Sequence, residues 1–353
     1  MANRDNFDKF EDISSDYEDI ESNSKPKKKK SLKRRILKVF IIAFLVIALL
    51  AVGTVYFLYS KLEHPETPQK HENKYVEQRD LFSDKNVTNI LLLGVDAREN
   101  ENPESSRSDT MIILSIDNTH KKIKLTSFLR DSYVKIPGHG EYKLNASCSW
   151  GGIDLVWDTL EYNFKIKIDN YMLVDFQAFE ELIDAIGGVD VKITEKEAKY
   201  LNKTWNKWSL TGSKLNFDSG EAVHLNGEEA LMFCRIRKLD SDFMRTDRQR
   251  RTISAIKEQM TMLKPSEVVN LINNVLPLVE TDITSQKMLT LSVSAVSKYL
   301  SYDLETCRIP VDGTWKNAST KAGASIVYDV DENASLLYDF IYNDVSPETT
   351  TTK

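Results

Sequence analysis

The chain has 353 residues, of which 41% are hydrophobic and 28% charged, enough for one large or two small domains with a real core. A net charge of -6 argues against a general nucleic-acid binder, for which a basic domain is the footprint. The three cysteines, Cys148, Cys234 and Cys307, are odd in number and widely spaced, without CxxC metal spacing or a disulfide framework, so a domain of this size must rest on its packing.

The charge is unevenly spread. Residues 1–24 are acidic, poor in apolar side chains and without periodicity, the pattern of a disordered tail. Lys25 to Lys38 then carries nine basic residues and no acidic one. Val39 to Tyr59 follows, uncharged for 21 residues, close to the ~20 that a helix needs to cross a bilayer. The run is longer than the core of a cleaved signal and lacks a small-x-small cleavage site. It is therefore expected to be a single membrane-spanning helix, a signal-anchor. Basic residues before it and mixed charges after it place the amino terminus in the cytoplasm and the bulk of the chain outside. Glu63 to Asp84, with Pro65, Pro68 and many charges, reads as a stalk.

The globular part begins at Asn89. Ile90 to Val95 and Thr110 to Ile116 are apolar runs expected to be buried strands, and Ile123 to Leu129 is a third, joined by a hairpin through Asp117 to Lys122. If the first two lie side by side, Asp96 and Asp109 meet at one sheet edge. Two carboxylates brought together call for a cation or a shared proton. Mg²⁺ is the natural candidate because it takes oxygen ligands and fills its shell with water and phosphate, while Mn²⁺ and Ca²⁺ suit the same residue types. Either aspartate alone would be read as capping a turn. Farther on, helical spacing over Ile153 to Phe164 and Phe179 to Ile186 alternates with strands at Tyr171 to Val174 and Val189 to Ile193, which indicates an α/β layered domain. Trp205 and Trp208 are read as packing residues, with a sugar platform as the weaker alternative. A helix is expected to reach about Leu263, with others over Val268 to Val279, Leu289 to Leu300 and Ala334 to Tyr342. Strands are expected at Thr306 to Val311 and Ile326 to Val330, the latter completing the sheet.

Phe233 to Arg250 crowds arginines and aspartates into one segment. Arg235 and Arg237, two apart, share a side of an extended backbone. Arg245, Arg248 and Gln249 stand at i, i+3 and i+4, one face of a helix. Guanidinium forks converging in this way suit phosphate or pyrophosphate, whose oxygens they bind bidentately. Asp240 and Asp242 between the two forks would stay ionised beside so many cations, ready to hold a metal or to act as a general base. No Walker A loop, GxSxG elbow or HExxH is present.

The segments GVDAR (Gly94 to Arg98), RSDTMI (Arg107 to Ile112), FLRDSYVKIPG (Phe128 to Gly138), KLNAS (Lys143 to Ser147), DFQAFEELIDAIGGVDV (Asp175 to Val191), LNGEEAL (Leu225 to Leu231) and RIRKLDSDFMRTDRQR (Arg235 to Arg250) together resemble the LytR-CpsA-Psr family. The resemblance implies a central mixed β-sheet flanked by helices, with an apolar channel for a polyprenyl chain. It further implies a Mg²⁺-dependent phosphotransferase of the Gram-positive envelope. Such an enzyme moves a glycopolymer (wall teichoic acid, capsule or similar) from an undecaprenyl-pyrophosphate carrier onto peptidoglycan. Carried over by position, Asp96 and Asp109 match metal-associated aspartates. Arg130, Arg235 and Arg237 are expected to be catalytic. Arg98, Arg107, Arg245 and Arg248 bind the pyrophosphate, helped by Lys143 and Gln249. Asp240 matches a position that activates the acceptor hydroxyl, with Asp242 as its rival. Val134 and Phe243 depart from the pattern, standing where some members carry basic residues. The expected domains are a cytoplasmic tail at 1–38, a membrane helix at 39–60, a stalk at 61–86, the catalytic domain at 87–345 with its motifs within 89–262, and a frayed end at 346–353. Residues after about 265 lie beyond the motifs and read as decoration. Two rival functions stay open: a module that binds polyprenyl phosphate or anionic polymer without turnover, and a membrane-bound regulator. The expected topology opposes the second, because it sets the arginines across the membrane from any chromosome.

Overall fold

The computed structural model describes residues 71–95, 108–208, 217–263, 275, 278–284, 287–288, 290–291, 294–295 and 298–347. The expected tail, the membrane helix and residues 61–70 of the stalk lie outside the described residues, as do Asp96, Arg98, Arg107 and most of the expected helix at 268–279. Among the described residues no helix is long and apolar enough to cross a membrane.

The framework is a mixed six-stranded sheet. Its first three strands in sequence are β1 (Val87–Val95), β2 (Ser108–Asp117) and β3 (Lys122–Phe128), paired antiparallel in the order expected. A two-stranded ribbon, β4 (Tyr133–Ile136) and β5 (Gly140–Lys143), leads into helix α1 (Asn145–Phe164). Strand β6 (Asn170–Val174) then joins β1 in parallel, and helix α2 (Phe176–Ala185) follows it. A smaller lobe holds β7 (Val189–Ile193), helix α3 (Glu195–Trp208), β8 (Gly220–Leu225), helix α4 (Gly227–Cys234) and helix α5 (Asp242–Met260). The chain returns to the sheet with β9 (Glu280–Thr281) and β10 (Asp303–Ile309), forms the hairpin β11 (Trp315–Thr320) and β12 (Gly323–Tyr328), and ends in helix α6 (Val330–Tyr342). The sheet order is β10-β3-β2-β1-β6-β9.

Strand periodicity sorts the two faces of the sheet. Leu91, Leu93, Met111 and Ile113 pack with Val156, Trp157 and Leu160 of α1 and with Leu337, Phe340 and Ile341 of α6. Ile90 and Ile116 turn the other way, with Leu92 and Leu114 beside them. The strand expected to complete the sheet, Ile326 to Val330, does not do so. Ile326 to Tyr328 fall in β12, which pairs with β11, and Val330 opens α6, while β10 occupies the edge beside β3. Residues after 265 are therefore no decoration, because β10 extends the sheet and α6 fills its core.

Lys124 is fully buried in this core, its ammonium 2.8 Å from Asp117 and 3.1 Å from Asp344, and it donates to the Ile341 carbonyl. These two carboxylates and His120 form the one three-residue group among the described residues that is spaced for a metal. The lysine already supplies the cation there.

The chain enters the domain along α1. His71 lies against Trp157, its ring nitrogens 3.0 Å from Asp154 and 2.8 Å from Asp158, and Asn73 donates to Glu161. Burial alone would lower the His71 pKa, but Asp158, Asp154 and Glu161 outweigh it and raise it above its ordinary 6.5. A raised histidine value means stabilisation that is complete below the ordinary value and lost as pH rises through the folded one. Backbone amides of residues 71–75 are accordingly expected to exchange with solvent faster at pH 8.5 than at pH 6, after correction for intrinsic exchange. His71→Ala should remove that difference.

Candidate active site

The site lies where β1, β2, α2, α4 and α5 converge. Two well-capped helices make one wall. Asp175 caps α2 by accepting from the Ala178 N–H at 2.8 Å, and Asn226 and Glu229 form a reciprocal capping box on α4. The two helices approach so closely that a Cβ on Gly227 would fall 2.4 Å from the Glu180 carbonyl oxygen. Only glycine allows that contact.

Between this wall and the sheet is a cavity of about 280 Å³. Leu92, Leu93, Ile112, Val174, Phe176, Phe179, Leu182, Leu231, Ile253 and Ile256 give it an apolar lining. Cys234 belongs to that lining chemically, since burial pushes its thiol up to about 11 and keeps it neutral at physiological pH. Arg235, Arg237, Arg245 and Gln249 complete the enclosure, beside Gly94 and Thr110. Arg235 and Arg237 are not on a strand, as their spacing implied: Arg235 is the C-cap of α4. They still flank a buried Ile236, so both reach the same cavity. The Arg235 guanidinium lies 4.3 Å from the centroid of the Phe176 ring, a cation–π contact that orients it. Gln249 donates to the Thr110 hydroxyl at 2.9 Å and ties α5 to β2.

The backbone brings further expected residues to this end of the sheet. Pairing of β1 with β2 sets Gly94 opposite Thr110, with an irregularity at Val95. Asp109 therefore sits at the sheet corner where the pairing of β1 with β2 ends at Val95 and Ser108. The β2–β3 register pairs Met111 with Phe128, and continuing it would set Asp109 level with Arg130. Asp131 lies 3.5 Å from Arg130 and 3.0 Å from Lys143, joining two expected anion binders. Arg130 and Lys143 are not among the residues lining the cavity.

Arg248 and Asp240 are placed differently. Arg248 is fully buried; its Nε donates to Glu197 at 2.7 Å, Nη1 to the Ile236 carbonyl at 3.2 Å and Nη2 to Asp240. Glu197 also accepts from Arg251 at 2.6 Å. Burial would raise the Glu197 carboxyl, but Arg251, the Thr194 N–H and Arg248 prevail and hold it down to about 2. As placed, Arg248 braces the Asp240 loop from behind and does not line the cavity. Asp242 is the first residue of α5, one helical turn before Arg245. Of the two positions that departed from the family pattern, Val134 is buried in the core. Phe243 stacks on Trp315 with centroids 4.3 Å apart, and the Arg308 guanidinium lies 4.5 Å from its ring centroid. A cation thus reaches that position from β10. Neither Glu197 nor Arg308 stood out in the sequence.

The model of the LytR_cpsA_psr family matches residues 52–334. The polyisoprenyl-teichoic acid–peptidoglycan teichoic acid transferase TagU of Oceanobacillus iheyensis is 31% identical over 315 residues, covering 83% of this chain and 92% of the relative. TagT of Bacillus subtilis, named for the same transfer, is 35% identical over 255 residues, covering 69% of this chain and 76% of the relative. Among solved structures, TagT bound to LIIa-WTA aligns with a TM-score of 0.62 at 25% identity, over 78% of this chain and 96% of that one.

Proposed function

This chain belongs to the LytR-CpsA-Psr family, and from that membership we propose that it transfers an anionic glycopolymer, with teichoic acid the foremost candidate, from a polyisoprenyl-pyrophosphate carrier to peptidoglycan. The observation that supports this most is the pairing of an apolar cavity with arginines in its wall: Arg235, Arg237 and Arg245 border the same space as Leu182 and Phe179. A lipid pyrophosphate has that same division between hydrocarbon and charge.

In the reaction proposed, an acceptor hydroxyl oxygen attacks the polymer-side phosphorus. The phosphoanhydride bond breaks, a phosphodiester forms, and the carrier departs as its monophosphate. The hydroxyl proton passes to a carboxylate, Asp240 or its neighbour Asp242. Such a transfer depends on positioned charge more than on covalent help from the protein. Arg235, Arg237 and Arg245 would orient the pyrophosphate and carry the charge that grows on the leaving group, with Arg98, Arg107, Arg130, Lys143 and Gln249 around it. Asp96 and Asp109 would hold Mg²⁺: they offer only carboxylate oxygens, leaving the rest of the shell to water and phosphate, and Asp109 lies at the end of the β1–β2 pairing. Bound there, the ion would help neutralise the pyrophosphate. The run from Val39 to Tyr59 would anchor the chain, with this domain on the outer side of the membrane.

The cavity's role can be tested by filling it. Leu182→Trp is expected to raise KM for a long-chain donor at least tenfold while changing KM for a donor with a ten-carbon chain less than threefold, measured by release of polyprenyl phosphate. Equal effects on both donors would remove the cavity from the proposal.

A further inference from the structure

Outside the cavity, the most unusual described surface is a ring stack on the β4–β5 ribbon. Trp150 is 43% exposed. His139 stacks on it at 5.0 Å and an interplanar angle of 29°, and Tyr142 packs against it at 4.9 Å and 49°. The indole is thus held by two neighbours, with much of its surface left to solvent.

The backbone explains this presentation. Helix α1 is broken just after Trp150: Gly151 has φ -154° and ψ 22°, and Gly152 has φ 63° and ψ -152°. A Cβ on Gly151 would lie 2.6 Å from that of Leu155, and the Gly152 conformation is open essentially to glycine alone. Residues 145–150 of α1, which end on Trp150, are therefore set off by a break from the turns that follow.

We propose that the stack of Trp150, Tyr142 and His139 is a docking surface for the acceptor, on which a pyranose ring of a peptidoglycan glycan strand lies against the indole. This rests on the transferase reading above. The chemistry favours a sugar: rings held in place present a flat apolar face at little entropic cost, and hydroxyl and imidazole edges surround it. The Lys321 ammonium lies 3.9 Å from where a Gly140 Cβ would be, a cation for the strand's carboxylates, and the Tyr75 hydroxyl lies 3.4 Å from the corresponding point on Gly138. Among the described residues, the large exposed apolar side chains of this patch are Trp150 and Tyr75, with no aliphatic wedge for a bilayer beside them.

The backbone ties this surface to Arg130 and Lys143, two of the expected anion binders. Tyr142 directly precedes Lys143, whose ammonium pairs with Asp131, and the Asn145 N–H donates to the Arg130 carbonyl. Trp150 is five residues beyond Asn145, about 7.5 Å along a helix axis. A strand lying on the indole would thus run toward Arg130 and Lys143.

The test uses the full chain, with soluble uncrosslinked glycan strands as the probe in calorimetry and as acceptor in the transfer assay. Because the indole supplies most of the flat face, Trp150→Ala is expected to weaken strand binding and to raise the acceptor KM by at least about fivefold. Trp150→Phe should recover part of both, and unchanged melting temperatures would show that both variants fold. Unchanged strand binding in Trp150→Ala, or no strand binding by the unmodified chain, would overturn the proposal. So would retained strand binding with lost affinity for phosphatidylglycerol vesicles, which would make this a membrane face. If strands bind through Trp150 but no donor is ever turned over, the docking surface stands and the transferase reading fails.

Discussion

Arg237→Ala is expected to lower the rate of polymer transfer by about 10²–10³-fold, the usual cost of removing one preorganised donor from a charge that develops during reaction. Arg237 is the most exposed of the three arginines bordering the cavity, and Arg245 is buried. Its loss should leave packing intact, so the melting temperature should fall by no more than about 2 °C. Arg237→Lys should restore little, because an ammonium cannot reproduce the planar fork. A rate loss below fivefold, with folding unchanged, would mean that the pyrophosphate is held elsewhere.

Glu197→Gln is expected to destabilise the fold by about 3–5 kcal/mol, because it strands Arg248 in the interior without its counter-charge. For a domain of this size that is a fall in melting temperature of roughly 6–20 °C. Glu197 is 2% exposed, and it accepts from Arg248 at 2.7 Å and from Arg251 at 2.6 Å. Replacing both ends of the buried pair, in Glu197→Gln with Arg248→Met, should cost less than the single change, since the stranded charge is then gone. The pH dependence follows from the depressed carboxyl. Its contribution is complete above the ordinary value of 4.5 and is lost as pH falls toward about 2. Denaturant titrations at pH 5, 4 and 3 should show that slope in the unmodified chain and a shallower one in Glu197→Gln. A double variant less stable than the single would contradict this account.

Arg248 also shows where sequence reasoning reached its limit. Positions i, i+3 and i+4 share a broad helical face, but at 3.6 residues per turn Arg248 and Gln249 are about 100° apart, on opposite sides of Arg245. Gln249 turns toward Thr110 and the cavity; Arg248 turns toward α3 and Glu197. Periodicity cannot tell those flanks apart without knowing which helix packs on which. Glu197 was hidden for another reason. Thr194 and Glu197 have the spacing of a helix cap, and Glu197 does accept from the Thr194 N–H at 2.9 Å. The two arginines that share it come from more than fifty positions away.

The strands were easier to read because their signals are local. Apolar runs at 90–95, 110–116 and 123–129 mark β1 to β3, and the turn at 117–122 fixes their antiparallel order. That order is what brings positions 109 and 130 to one end of the sheet, the end at which β1 stops at Val95. The place of Thr306 to Val311 could not be read in this way. Joining the sheet beside β3 is a long-range choice, and a short apolar run is equally suited to an edge strand or a separate hairpin.

The most direct measurement is a transfer assay with the full purified chain, a polyprenyl-pyrophosphate-linked teichoic acid donor and peptidoglycan. The account predicts polyprenyl monophosphate and peptidoglycan-bound polymer in equal amounts, with no product after EDTA treatment and recovery on adding Mg²⁺. Tight donor binding by the unmodified chain without any product, or equal turnover after Arg235 and Arg237 are both changed to alanine, would contradict it.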